Sequence, residues 1–128
     1  MNGKDISRVI DSFYEVISGK SYEDRNWEKF SSLFYQNARL INFKGNNLSS
    51  DVGSYITTLT QWLKRNDFYE YGFDYEISNY GNIAQVSSRY EAKESNDSDL
   101  VIKSGRNLVQ LVYTNGQWKI LNMLWEDD

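Results

Sequence analysis

The chain has 128 residues, a formal net charge of −4, 40% hydrophobic and 16% aromatic residues, a composition that excludes a disordered chain and fits one folded domain. With neither cysteine nor histidine, a disulfide framework, a thiol nucleophile, a zinc site and Ser-His-Asp chemistry are excluded. The acidic balance speaks against nucleic acid as a partner.

The first stretch, Met1 to Phe13, carries charges where a signal peptide needs an apolar core. No apolar run approaches the ~18 residues of a membrane span, so no membrane partner is expected and the expected location is the cytoplasm. The sequons at Asn47-Leu48-Ser49 and Asn96-Asp97-Ser98 carry no meaning without secretion. Ile6, Val9, Ile10, Phe13 and Ile17 share one face of an amphipathic helix, with Asp5 as its expected N-cap and Gly19 as its stop. Residues 20–26 read as a polar linker. A short second helix carries Trp27, Phe30 and Phe34 at helical spacing, behind Asp24 or Asn26 as cap. Ala38 to Phe43 reads as a strand and Lys44-Gly45-Asn46-Asn47 as a turn. Ser50 or Asp51 then caps a third helix with Val52, Tyr55, Ile56, Leu59 and Trp62 or Leu63, ending near Asn66.

Tyr69, Tyr71, Phe73, Tyr75 and Ile77 alternate with Glu70, Gly72, Asp74, Glu76 and Ser78. That pattern predicts a half-buried strand with an aromatic inner face and an acidic outer one. After a turn at Asn79-Tyr80-Gly81-Asn82, Ile83 to Glu94 forms a strand with Ala84, Val86, Ser88, Tyr90 and Ala92 on one side. Ser95 to Asp99 is a loop, and Asp97-Ser98-Asp99 is too short for a calcium site. Two apolar runs then flank Thr114-Asn115-Gly116-Gln117, a strong hairpin signal because both central residues tolerate positive φ. On the last strand, Trp118, Ile120 and Leu124 share one parity and Leu121, Met123 and Trp125 the other. Apolar residues on both faces call for cover on both.

Helices first and antiparallel strands last predict an α+β fold with the helices on one face of a bent sheet. The element order, the Leu33-Phe34-x-x-x-Ala38 step and the Asn-Gly-Gln-Trp-Lys-Ile strand ending in Trp125 together resemble the nuclear transport factor 2-like superfamily. Its SnoaL-like and ketosteroid isomerase-like branches are the nearest. The resemblance covers nearly the whole chain and implies one domain over residues 1–128: a cone of three helices inside a strongly curved, mainly antiparallel sheet. It further implies an internal pocket and a homodimer through the outer sheet face. A ketosteroid isomerase-like member carries its base, an Asp, where this chain has Asn42, and its oxyanion acid where this chain has Gln110. Its oxyanion tyrosine falls at Ser12 or Phe13, one step from Tyr14. The superfamily's known catalytic sets are therefore mostly missing, and no residue is identified as catalytic.

Asn42 and Gln110 are expected to orient a ligand by hydrogen bonds, or alternatively to bond each other or a buried water. Tyr14, Tyr55, Trp62, Phe73, Tyr75, Tyr90 and Trp125, with Met123, are the expected lining; any one of them is equally read as core. Glu70, Asp74 and Glu76 read as a solvated face, and Arg89 and Arg106 as surface or dimer-rim ion pairs. Two functions stay open. One is binding of a small apolar or aromatic molecule in an internal pocket, with or without acid–base chemistry of the isomerase, cyclase or hydrolase kind. The other is a non-catalytic dimeric assembly module with a filled core. Neither needs a metal or cofactor. Dimerisation is expected from Trp118, Ile120 and Leu124 on the face away from the helices.

Overall fold

The computed structural model describes residues 3–43 and 49–128; the turn expected at Lys44–Asn47 and the Asn47 sequon lie outside the described residues. Helix α1 spans Gly3–Ile17 and buries Ile6, Ile10, Phe13, Tyr14 and Ile17 completely or nearly so. It starts before Asp5, which therefore sits in the first turn, where its charge complements the helix dipole. Helix α2, Trp27–Ser32, is capped by Asn26, whose side chain accepts from the Lys29 amide at 3.0 Å. Helix α3, Val52–Leu63, is capped by Asp51 through the Ser54 amide at 2.7 Å. The polar stretch before α2 is no passive linker: the Arg25 guanidinium donates to the carbonyls of Ile17, Gly19, Lys20 and Glu23.

Strands β1 (Phe34–Asn42), β2 (Ser49–Ser50), β3 (Tyr69–Tyr80), β4 (Ile83–Lys93), β5 (Lys103–Thr114) and β6 (Gln117–Asp127) form one sheet in the order β2-β1-β6-β5-β4-β3. Every neighbouring pair is antiparallel except β1 and β6. The β5–β6 hairpin turns at Asn115 and Gly116 with φ of 51° and 78°, the conformation for which Asn-Gly is suited. The curved mixed sheet wraps the helices, with α1 lying along β3. Among the described residues no helix is long and apolar enough to cross a membrane.

Three register shifts interrupt the sheet. One lies in β1 between Phe34 and Arg39, where Asn37 has φ 62°. A second lies in β3 between Phe73 and Glu76, where Asp74 has φ 52°. In the third, Gln110 pairs with Asn122 while Leu111 pairs with Ile120, leaving Leu121 extra. In β3 and β6 the inserted residue reverses the inward–outward alternation, whereas in β1 the even-numbered Phe34, Ala38 and Leu40 are buried on both sides of the shift. This corrects the expected faces of β3 and β6. Tyr75 and Ile77 pack against the core as expected, but Tyr71 and Phe73 point outward beside Lys93 and Arg89, and Glu70 points in. On β6, Trp118 and Ile120 are 4% and 0% exposed, so they belong to the interior, and the outer leucines are Leu121 and Leu124. The alternation expected for β4 is observed: Ala84, Val86, Ser88, Tyr90 and Ala92 are all buried.

Two glycines make the interior fit. A Cβ on Gly105 would come within 2.2 Å of the Tyr90 hydroxyl and 2.4 Å of the Glu126 carbonyl, and one on Gly72 within 2.3 Å of the Tyr14 ring. Both glycines face Tyr90 across the sheet; the Tyr90 phenol fills the space beside Gly105, and the Tyr14 and Tyr75 rings fill that beside Gly72. Because a backbone carbonyl cannot yield as a flexible side chain can, Gly105→Ala is expected to lower stability by about 1–3 kcal/mol. Urea denaturation checks this; an unchanged midpoint would show that the strands relax around the methyl group.

Candidate functional site

The pairing stacks inward side chains in rungs. Glu70, Ala92 and Lys103 stand side by side on β3, β4 and β5. The next rung holds Gly72, Tyr90, Gly105 and Asp127, and the one after holds Ser88, Asn107, Trp125 and Asn42. Neighbouring strands are about 4.8 Å apart, so the small Ala92 leaves open space between Glu70 and Lys103. Phe13 of α1 and Tyr55 of α3 cover this part of the sheet. Together Phe13, Tyr55, Glu70, Tyr90, Lys103, Asn107, Met123 and Trp125 line a narrow cleft whose volume is ≈ 20 Å³, room for about one water. The cavity of a few hundred Å³ that an open pocket provides is not present here: aromatic side chains fill the cone.

Most polar groups of the interior are engaged. Asn107 Nδ2 donates to the Tyr14 hydroxyl at 2.8 Å. Ser88 Oγ donates to its neighbour's carbonyl, Arg89 O, at 3.0 Å, so at 2.8 Å it accepts from Tyr14. The direction of that chain follows from the donors available. Tyr14 is thus an internal brace whose one proton is committed, and burial lifts its pKa to about 12 against the lowering effect of those hydrogen bonds. Tyr90 donates to Asp127 and Tyr75 to Asp11 at 2.6 Å; burial, then these carboxylate bonds, raises both phenols. Lys103 sits at the rim, its Nζ 5.9 Å from the Tyr90 ring centre and 4.0 Å from Asp127 Oδ1.

Glu70 is different. Its backbone is held by Ser18, whose hydroxyl accepts from the Glu70 amide at 2.9 Å and donates to the Tyr14 carbonyl at 2.8 Å. Among the described residues nothing hydrogen-bonds its carboxyl, and nothing hydrogen-bonds the Tyr55 hydroxyl. Burial pushes the Glu70 carboxyl up to about 7; Lys103 opposes the shift and Asp127 adds to it. The Tyr55 phenol is also raised, by burial and then by the nearby Glu70 charge. One strand beyond Trp125, Asn42 Oδ1 is buried without a partner. An acid near neutrality and an uncommitted phenol thus meet at the cleft.

Of the residues expected to line a pocket, Tyr55, Tyr90, Met123 and Trp125 meet at the cleft, and Asn42 stands beside Trp125. Tyr14 and Tyr75 lie deeper, with their hydroxyls committed. Three expectations are corrected. Gln110 is on the outer face, accepting from Asn122 Nδ2 at 2.9 Å, because inward positions of β5 are the odd-numbered ones from Gly105 to Leu111. Phe73 lies outside, 6.1 Å from the Tyr71 ring. Trp62 is 38% exposed and packs edge-on against Phe68, away from the cleft. Glu70, read from the sequence as solvent-facing, is the group sequence reasoning misplaced; Ser88, Asn107 and Lys103 it did not single out. Arg89 and Arg106 do make surface contacts, to Asp128 and Ser87 at 3.1 and 2.6 Å.

The raised Glu70 pKa has a consequence for stability. A carboxyl near 7 when folded and near 4.5 when unfolded stabilises the protein below the lower value, and that contribution is lost as pH rises through 7. With no histidine side chain to titrate in the same window, the wild type should lose about 2–3 kcal/mol relative to Glu70→Gln between pH 5 and pH 8. Parallel denaturation series of the two proteins measure the difference; curves of equal slope would place the carboxyl in water.

No family model matches the chain, and no curated protein matches it in sequence. Solved structures do match in shape. A protein of unknown function with a cystatin-like fold from Nostoc punctiforme superposes with a TM-score of 0.80 at 15% identity, over 98% of this chain and 90% of that one. A candidate scytalone dehydratase from Novosphingobium aromaticivorans gives 0.75 at 16% identity over 98% and 83%. A nuclear transport factor 2-like protein from Cytophaga hutchinsonii gives 0.70 at 16% identity over the full length of both chains. The chain therefore has the nuclear transport factor 2-like fold; at these identities the likeness carries fold and not activity.

Proposed function

From this fold as premise, we propose that the chain binds a small, largely apolar or aromatic molecule at the Glu70 cleft and that Glu70 exchanges a proton with it. The observation that carries the reading is the Glu70 carboxyl itself: uncommitted, walled by Phe13, Tyr55, Tyr90 and Trp125, and poised near neutral pH, where one group serves equally as acid and base. Tyr55 supplies a phenol proton to an oxygen of the ligand. Two structural neighbours carry a dehydratase description, and eliminations of that kind need proton transfer. Here a carboxylate takes that part, since the chain has no histidine. The cleft's ≈ 20 Å³ sets a condition: the half-buried rings of Tyr55 and Trp125 must swing aside to admit anything larger than water.

A thermal-shift screen of neutral aromatic and alicyclic compounds tests the reading. A saturable rise in Tm that Trp125→Ala abolishes is the expected result. Glu70→Gln should keep binding while stopping exchange of an acidic ligand C–H with D2O, read by NMR. Absence of any saturable stabilisation at millimolar ligand would leave the cone a filled scaffold.

A second reading rests on a separate observation. Ile83, Leu108 and Leu124 are 59%, 49% and 37% exposed on the outer sheet face, beside Leu121, where two shallow depressions of ≈ 280 and ≈ 620 Å³ lie. Two copies packed sheet to sheet would cover them, and with the interior filled such a module could act through assembly alone. Light scattering should then give twice the 15.0 kDa chain mass, and Leu108→Lys should halve it; a parent that scatters as a single chain at micromolar concentration rejects the dimer.

A further inference from the structure

We infer that the Glu70 cleft selects an alkyl- or arylmethylammonium compound, taking the ammonium head inside the cone and leaving the apolar body over Tyr55 and Trp125. This rests on the reading of the cleft as a binding site and adds the chemistry of what it binds. Three observations converge. First, the Glu70 carboxylate in the cleft is a hydrogen-bond acceptor that no described residue bonds, so the complementary ligand group is a donor, and several protons on one small atom serve it best. Second, the cleft is walled by the rings of Phe13, Tyr55, Tyr90 and Trp125, whose π faces attract cations and gain most when water is excluded. At ≈ 20 Å³ it admits a head group the size of water or ammonium and little else. Third, the protein already seats an ammonium there: Lys103 Nζ lies 5.9 Å from the Tyr90 ring centre and 4.0 Å from Asp127. Its side chain is 40% exposed, so it occupies the rim and leaves the Glu70 side of the cleft to a ligand.

The charges facing Glu70 fix the pH dependence. Lys103 on β5 opposes a second cation, Asp127 on β6 favours one, and the phenols of Tyr14, Tyr55 and Tyr90 stay neutral because burial raises them. An ammonium therefore binds better as Glu70 ionises, above neutral pH.

Isothermal titration of the intact chain with three probes of one shape decides the matter: benzylammonium, benzyl alcohol and benzoate. The expected result at pH 8 is benzylammonium binding at least tenfold tighter than the alcohol, with the advantage shrinking at pH 5.5. Glu70→Gln, shown by circular dichroism to stay folded, should erase the advantage while leaving the alcohol bound. Lys103→Met, which removes the resident cation, should strengthen the amine. Benzyl alcohol or benzoate binding as tightly as benzylammonium overturns the ammonium inference and leaves the binding site standing. If none of the three binds, the site itself is lost with it.

Discussion

A strand has no freedom to choose which side chains it buries, because successive residues alternate between faces; only an inserted residue resets the order. This chain uses that constraint twice, at Asp74 and Leu121. The shift at Asp74 lets β3 present Glu70 and Gly72 inward near its start and Tyr75 and Ile77 inward further on. The shift at Leu121 lets β6 bury Trp118 and Ile120 against the helices before Met123 and Trp125 reach the cleft. Without them the same residues would line the opposite face, and the carboxyl would stand in water. The bulges also add local twist, which helps a six-stranded sheet curl around three short helices.

The interior that results is unusual less for its aromatics than for its division of polar groups. Tyr14, Ser88 and Asn107 form a closed chain in which each donor has an acceptor, and Tyr90 with Asp127 and Tyr75 with Asp11 do the same. Such braces rigidify a core. Against that background the Glu70 carboxyl and the Tyr55 hydroxyl stand out at the cleft, since no described residue hydrogen-bonds either of them.

Much of this architecture was legible in the residues. The stripe of Ile6, Ile10, Phe13 and Ile17, the Asn115-Gly116 turn and the alternation of Ala84 to Ala92 each report a local period, and local periods survive into the fold. The cap at Asp51 was equally readable, from a short acceptor placed before an apolar helix. What the sequence concealed was parity. Nothing in Tyr69 to Ile77 marks Asp74 as an inserted residue, beyond its being a short polar side chain that tolerates positive φ, and one such residue moved Phe73 outward and Glu70 inward. Gln110 was misplaced for a related reason: its role was borrowed from a remote resemblance, while Asn107, three residues earlier, is the amide that faces in. The near absence of empty volume was unreadable in principle, because it depends on how side chains from six separate elements interlock.

The position of β6 also bears on how the molecule forms. Although it comes last in order, it lies in mid-sheet between β5 and β1, and its parallel pairing with β1 joins segments from opposite ends of the chain. The hairpins of β3, β4, β5 and β6 can zip from neighbour to neighbour, but β1 has only the two-residue β2 beside it until β6 docks. That closure is a long-range event of high entropic cost. Strand β6 must therefore be made before the cone can shut, and the helices spend that interval with their apolar stripes uncovered.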